Sequence, residues 1–159
     1  MTGSRFRRGA RALVVDEHER VLLVHFRFPH GDLWAAPGGG IEHGEAAEDA
    51  IRRELHEEVG LADPDVGPVI WTRRHVFPLP GYDGQEETFF LVRVREADLA
   101  APLLSDADLR SENVIGRAWW SLDELRAATS TSFAPRRLPV LVARLLADGP
   151  PPDPIDTGV

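Results

Sequence analysis

The chain has no cysteine, and counted residue by residue it has no lysine either: all 18 basic residues are arginine. Without cysteine there is no disulfide, no thiolate nucleophile, no cysteine-bound zinc and no iron–sulfur cluster. Without lysine there is no Schiff-base chemistry, no kinase-type lysine and no P-loop lysine. Long apolar runs are missing as well, since nothing approaches the roughly 18 residues of a membrane helix. Behind Arg5, Arg7 and Arg8 the apolar stretch Ala12 to Val15 is too short for a signal-peptide core, so a cytoplasmic location is the default reading. Basic charge is in deficit: 18 Arg against 26 Asp and Glu give −8, which argues against a general binder of nucleic-acid backbones.

What is present fits one ordinary globular domain: 159 residues, 43% hydrophobic, 28% charged, mean hydropathy −0.22. Residues 1–148 read as that single domain, and 149–159, with Pro150, Pro151, Pro152 and Pro154, as an extended or disordered tail. Arg11 to Val15 and Val21 to Phe28 are apolar, β-branched runs around the polar turn Asp16 to Arg20, which predicts a hairpin. Pro29 to Gly44, rich in Gly and Pro, reads as loop. From Glu45 the period becomes helical, with Ala47, Ile51 and Leu55 on one stripe and Gly60 placed as the stop. Val69 to Phe77, Thr88 to Val94 and Val114 to Trp120 read as strands. Ser121 with Glu124 forms a capping box for a short helix over Leu122 to Ala128, and a last helix covers Leu138 to Ala147. Strands and helices alternate irregularly, which favours a mixed α/β or α+β sandwich.

Half of the net charge sits in one place. Between Glu45 and Gly60 six acids (Glu45, Glu48, Asp49, Glu54, Glu57, Glu58) face Arg52 and Arg53, a balance of −4 out of −8. On a helix Glu54, Glu57 and Glu58 fall at i, i+3 and i+4, so three like charges share a face and repel. An arbitrary acidic helix with such a face is usually solvated, and Arg53 at i, i+4 to Glu57 would soften it. Here the acids flank the apolar stripe, which puts them at the rim of the core. Directly upstream lies Pro37-Gly38-Gly39-Gly40, whose backbone can approach a ligand closely and offer carbonyl oxygens. Carboxylates, carbonyls and water are the oxygen set that Mg²⁺ or Mn²⁺ prefers, so a divalent-metal site is the leading reading.

At these residues the sequence resembles the Nudix hydrolases. That family is marked by Gly, five residues, Glu, seven residues, then Arg-Glu, an apolar residue, any residue, Glu-Glu, any residue, Gly and an apolar residue. The chain carries Gly39, Glu45 and then Arg53-Glu54-Leu55-His56-Glu57-Glu58-Val59-Gly60-Leu61, and every position fits. Seven single-residue identities at about 6% each arise by chance on the order of 10⁻⁹ per window. His56-Glu57 is also the start of a zinc-protease helix, but that pattern needs a second His where Gly60 stands.

The resemblance implies an α/β fold of the Nudix type: an α/β/α sandwich with a central mixed β-sheet, occupying the domain of residues 1–148. It implies hydrolysis of the phosphoanhydride linkage of a nucleoside diphosphate derivative, a small molecule, with two or more Mg²⁺ or Mn²⁺ ions in the productive complex. Glu57 and Glu58 would be the main metal ligands, Glu54 a further ligand or the base, the Gly39 carbonyl another ligand, and Arg53 and Glu45 the residues that orient the carboxylates. A carboxylate outside the motif often completes such sites, and Glu112, Glu86 and Glu87 are the candidates. Alternation on a strand allows only one of Glu86 and Glu87 to point inward.

For the substrate, Phe77 and Tyr82 offer rings for stacking, Arg27 and Arg73 offer bidentate phosphate binding, and Trp34 lies next to the motif. Arg74, beside Arg73, would face the other way. Many relatives pair as homodimers, and the basic stretch Arg5 to Arg11 has three readings: an interface, a partner for the acidic motif, or a simply solvated segment. The rival to an enzyme is a Nudix-fold module that senses a nucleotide without turnover. Such modules usually lose motif carboxylates, and this chain keeps all of them.

Overall fold

Alternation along Phe6–Val15 sends successive side chains to two different cores, and the fold is built around that division. Leu13 and Val15 enter one core with Leu23, Trp71, Phe89, Leu141 and Leu145, while Ala10, Ala12 and Val14 enter the other with Val24, Ile51, Leu55 and Phe90. The computed structural model describes residues 3–159, so the first two residues of the 1–148 domain expectation lie outside the described residues. Its strands are β1 (Phe6–Val15), β2 (Val21–Phe28), β3 (Gly31–Ala35), β4 (Gly38–Gly40), β5 (Val69–Leu79), β6 (Tyr82–Arg93), β7 (Val114–Trp120), β8 (Phe133–Ala134) and β9 (Ile155–Asp156). The helices are α1 (Ala47–Val59), α2 (Asp106–Ser111), α3 (Leu122–Ala127) and α4 (Leu138–Asp148).

The sheet runs β8-β3-β2-β1-β6-β5-β9, with β4 also paired to β1 and β7 to β2. β1 and β6 are parallel from Phe6↔Gly84 to Val15↔Arg93, while β5 and β6 are antiparallel, which makes the sheet mixed. The apolar stripe of α1 covers one face, and α3 with α4 covers the other. The result is the expected α/β/α sandwich.

Several boundaries differ from the sequence expectation, each for a physical reason. β1 and β2 do not zip together as a full hairpin: the register records only Val15↔Val21, because β2 spends its edges on β3 and β7. The turn is held instead by Asp16, which accepts hydrogen bonds from the His18 and Arg20 amides at 3.0 and 2.8 Å and from Arg20 Nε at 2.9 Å. Pro29 to Gly44 is not all loop, since β3 and β4 form there with β2 and β1 as templates. Pairing with β5 and β1 draws the start of β6 back to Tyr82. The helix begins at Ala47 and not at Glu45, whose carboxylate is occupied in holding the preceding loop. α2 had no signal in the apolar period. The proline-rich tail is ordered: Ile155–Asp156 pairs with Trp71 and Thr72, and Thr157 is buried. The capping box of Ser121 and Glu124 forms as read.

Candidate active site

The acidic helix owes its position to its termini and its stripe. Ile51, Leu55 and Val59 are fully buried against β1 and β2, and Gly60 closes the helix in the left-handed region, φ 76°, where a side chain would strike the Ala100 carbonyl. Arg117 donates to the Val59 and Ala100 carbonyls and so pins the same end. With the helix fixed, its three acids are graded in depth. Side-chain exposure falls from 28% at Glu57 to 12% at Glu54, and Glu58 is 4% exposed as a residue.

β4 passes directly over these acids. A Cβ built on Gly39 would lie 2.5 Å from Glu54 Oε1, so only glycine lets the strand run there. The Gly38 amide donates to Glu58 Oε1 at 3.4 Å. Arg53 ties loop and helix together. Its Nε and Nη2 donate to the two oxygens of Glu45 at 3.0 and 2.9 Å, Nη2 reaches the Gly40 carbonyl at 3.1 Å, and Nη1 reaches Glu54 at 3.0 Å and Glu57 at 3.5 Å. That bidentate pairing holds the Glu45 carboxyl below the usual carboxylate range.

The deeper acids behave in the opposite way. Burial pushes Glu54 up; Arg53 opposes it and the charges of Glu57 and Glu112 add to it. Burial pushes Glu58 up to about 8, with Arg11 opposing and Glu54 and Glu112 adding. This cluster is short of positive charge. An all-oxygen set with one carboxylate buried behind a single long amide contact fits a hard divalent cation. Among the described residues the acidic or imidazole ligand atoms found within 4.8 Å of one another are those of Glu17, His18 and Glu96 at the β1–β2 turn, and not those of Glu54, Glu57 and Glu58, which lie farther apart. Glu17, His18 and Glu96 are all exposed, and Glu96 pairs with Arg20 at 3.0 Å, so that group is a solvated surface cluster.

The other candidates separate into distinct places. Tyr82 and Glu112 line the same cleft of about 870 Å³ as Arg53, Glu54 and Glu57, and Arg7 and Arg8 of β1 form part of its wall. Of the basic N-terminal stretch, Arg7 and Arg8 reach this cleft, while Arg11 is held on Glu87 away from it. Arg5 lies over the Tyr82 ring, 5.1 Å from its centroid. Arg27 lines a hollow of about 520 Å³ on which Glu58 opens, and it pairs with Asp32 at 3.2 Å. Trp34 and Arg73 line a third cavity of about 910 Å³, Trp34 stacked on His25 at 4.3 Å. Phe77 packs on His75 at 4.5 Å. Glu86 pairs with the exposed Arg74, and Glu87 is buried between Arg11 and Arg73, on opposite faces as alternation requires. Arg11 is a site neighbour that the sequence reading passed over. Its importance comes from lying opposite Gly38 in the β1–β4 register, which no local pattern reveals.

The fold and the site together define a class: an α/β/α sandwich with a carboxylate helix held under a glycine strand. The NUDIX domain model matches residues 5–141, and the chain belongs to the Nudix family. It is similar to the RNA pyrophosphohydrolase of Cellvibrio japonicus, with 37% identity over 97 residues that cover 54% of this chain and 57% of that protein. It is also similar to the nucleoside triphosphatase NudI of Salmonella paratyphi B, 42% identical over 62 residues, 37% of this chain and 43% of that one. Among solved structures, the MutT protein of Methanosarcina mazei superposes with a TM-score of 0.66 at 19% identity, over 93% of this chain and 98% of that one. The match spans just over half the length of the first of these curated relatives. No helix among the described residues is long and apolar enough to cross a membrane.

Proposed function

We propose that the protein is a divalent-metal-dependent hydrolase that cleaves the phosphoanhydride linkage of a nucleoside diphosphate derivative, water attacking phosphorus. One observation carries the reading: Glu54, Glu57 and Glu58 are all retained on a helix fixed beneath a glycine strand, and the deepest of them lacks a counter-charge of its own. Glu54, Glu57 and Glu58, with Glu112 and the Gly39 carbonyl, would hold Mg²⁺ or Mn²⁺, two or more ions when substrate is bound. Held there, the metal would neutralise phosphate oxygens and would lower the pKa of a water bound to it.

The chain's own groups do the rest. Arg53, anchored on Glu45, fixes the Glu54 and Glu57 side chains from the loop side. Glu54, with its raised proton affinity, is the first choice to accept the proton of the attacking water. Tyr82 in the cleft offers a ring to the substrate, Arg27 offers a guanidinium on the Glu58 side, and Trp34, Arg73 and Phe77 belong to the opposite face. The substrate is a small molecule, the protein acts in the cytoplasm, and it is free to pair as a homodimer.

The test is product analysis by mass spectrometry after incubation with a pool of nucleoside diphosphate derivatives and nucleoside triphosphates. A 5′-triphosphorylated RNA joins the pool because of the RNA pyrophosphohydrolases that the chain resembles. Each incubation is run with Mg²⁺, with chelator and with Glu57→Gln. Mg²⁺-dependent cleavage lost in the variant is the expected result, and the consumed compound names the substrate. Absence of cleavage throughout would replace the enzyme reading with the nucleotide sensor.

A further inference from the structure

Glu87 is the only acid on the α3/α4 face of β6 that lies between two arginines, and the hydrolytic reading above leaves it without a task. It is 4% exposed and shares its face with Phe89 and Leu91 of the core. One carboxylate oxygen accepts from Arg11 Nε, and the other accepts from Arg73 Nη1 at 2.6 Å. Placing a charge there has a cost, because an ion taken out of water must be compensated in place. The apolar alternative would have been an ordinary core residue.

The reach of the pair explains its position. Arg11 does not end at Glu87: its Nη1 donates to the Ala36 carbonyl at 2.8 Å, and its backbone lies opposite Gly38 in the β1–β4 register. Ala12, the next residue, donates its amide to the Pro37 carbonyl at 2.9 Å. Arg11 therefore grips Ala36–Gly38 from below. That segment carries the Gly38 amide that meets Glu58, and leads into Gly39 against Glu54. Gly9, opposite Glu87 in the β1–β6 register, keeps the space clear, since a Cβ there would come within 3.6 Å of the Glu87 side chain and 3.3 Å of the Gly39 carbonyl. On its other side Glu87 fixes Arg73, which lines the cavity of Trp34 and His25.

We propose that Glu87 is a positioning residue for the hydrolysis, holding Arg11 in place under the Ala36–Gly39 segment so that this segment and the Glu58 carboxylate keep the arrangement that receives the cation. It touches neither substrate nor cation and acts through Arg11. Without its charge, Arg11 is free to turn to the carboxylates nearest it and compete with the cation for them. The inference rests on the hydrolytic reading, so its test needs a readout other than turnover.

The experiment measures, on the full chain, the Mg²⁺-dependent rise in Tm and the Mg²⁺ concentration for half-maximal activity in the wild type, Glu87→Gln, Arg11→Gln and the double variant. Asp16→Asn serves as comparator: Asp16 is also a buried acid on an arginine, but it stands at the far turn of the sheet. Glu87→Gln should weaken the Mg²⁺ response and slow kcat by about 10- to 100-fold, as outer-shell changes at metal sites do. Asp16→Asn should lower Tm and leave the Mg²⁺ response as it was. In the Arg11→Gln background the Glu87 change should cost under about 3-fold, because the two act as one unit.

An unchanged Mg²⁺ response in Glu87→Gln overturns the proposal, and so does a full additive loss in the double variant, which would make Glu87 a ligand in its own right. If Glu87→Gln does not fold, Glu87→Asp, too short to reach both arginines, is read the same way. A wild type that binds Mg²⁺, loses that response in Glu87→Gln and cleaves nothing would sink the hydrolytic reading and keep Glu87 as a positioning residue of the cation site alone. A wild type with no Mg²⁺ response at all overturns both.

Discussion

Two acids are buried to the same extent, 4% exposed, and the protein treats them in opposite ways. Glu87, in the middle of β6, stands between Arg11 and Arg73. Burial alone would raise its proton affinity, but the two guanidiniums outweigh burial and hold it below the usual carboxylate range. Glu58, in the last turn of α1, has one backbone amide at 3.4 Å, and burial pushes it up to about 8. Equal burial with opposite charge balance teaches where to look for function. A buried charge that carries its counter-ion within the fold is complete, whereas one that lacks it is shaped for something that arrives from outside.

The largest effect that would break this contrast is expected at Glu58. Replacing it by Gln should reduce kcat/KM by about 10³-fold or more, beyond the roughly 10- to 100-fold of outer-shell changes. In chelator at pH 8 or above the same variant should be more stable than the wild type, because a neutral amide no longer has to be ionised in a low-dielectric place. Steady-state kinetics with Mg²⁺ and thermal melts with chelator read the two effects. A variant that is both inactive and destabilised at that pH would mean that Glu58 is a structural ion like Glu87.

Glu87→Gln should behave as the mirror image. Removing one member of a buried ion pair costs about 3–5 kcal/mol, since the partner is left uncompensated; here two arginines lose their shared acid, though Gln can still accept one hydrogen bond. Chemical denaturation at pH 7 measures it. A loss under about 1 kcal/mol would show that Arg11 and Arg73 are satisfied by other groups, and the contrast with Glu58 would collapse.

Part of this contrast was legible in the sequence. Spacing alone put Glu54, Glu57 and Glu58 on one face at the rim of the apolar stripe, and Gly39 to Leu61 fixed the family. The graded depth of the three acids was not readable, because it depends on how far β4 descends on α1. Glu87 entered as one of three candidate carboxylates, correctly placed by alternation on the face opposite Glu86. Its partner Arg11 could not be foreseen: the two residues are 76 positions apart, and the parallel β1–β6 register that brings them together has no local signature. The order of the tail is hidden from local sequence for a related reason. Its prolines speak only against helix, and the β5 edge that Ile155–Asp156 completes is set by the rest of the sheet.

Titration separates the two acids again, with effects of a few kcal/mol. For Glu58 the folded pKa lies above the unfolded value, so its contribution in the metal-free protein is present at low pH and is lost as pH rises from about 4.5 toward about 8. For Glu87 the folded pKa is depressed, so its contribution is present above the unfolded value of about 4.5 and is lost as pH falls below it. In chelator, Glu58→Gln should flatten the neutral limb of a Tm-against-pH curve and leave the acid limb, and Glu87→Gln should do the reverse. Mg²⁺ should restore the neutral limb in the wild type and, only at higher concentration, in Glu87→Gln. Both variants flattening the same limb would contradict the assignment.

The smallest effect sharpens the comparison most closely, because it changes one residue position and keeps the chemistry. Glu86 adjoins Glu87 in β6 and, like it, pairs with an arginine, Arg74, but the side chains are 39% and 61% exposed and face away from the α3/α4 core. Water already screens such a pair, and its contribution should be under about 1 kcal/mol. Glu86→Gln should therefore shift the denaturation midpoint only slightly. If Glu86→Gln were as costly as Glu87→Gln, pairing alone would set the energy. If it is nearly silent, as expected, the same ion pair gains its weight from being dry, and burial without a partner is what distinguishes Glu58 from both.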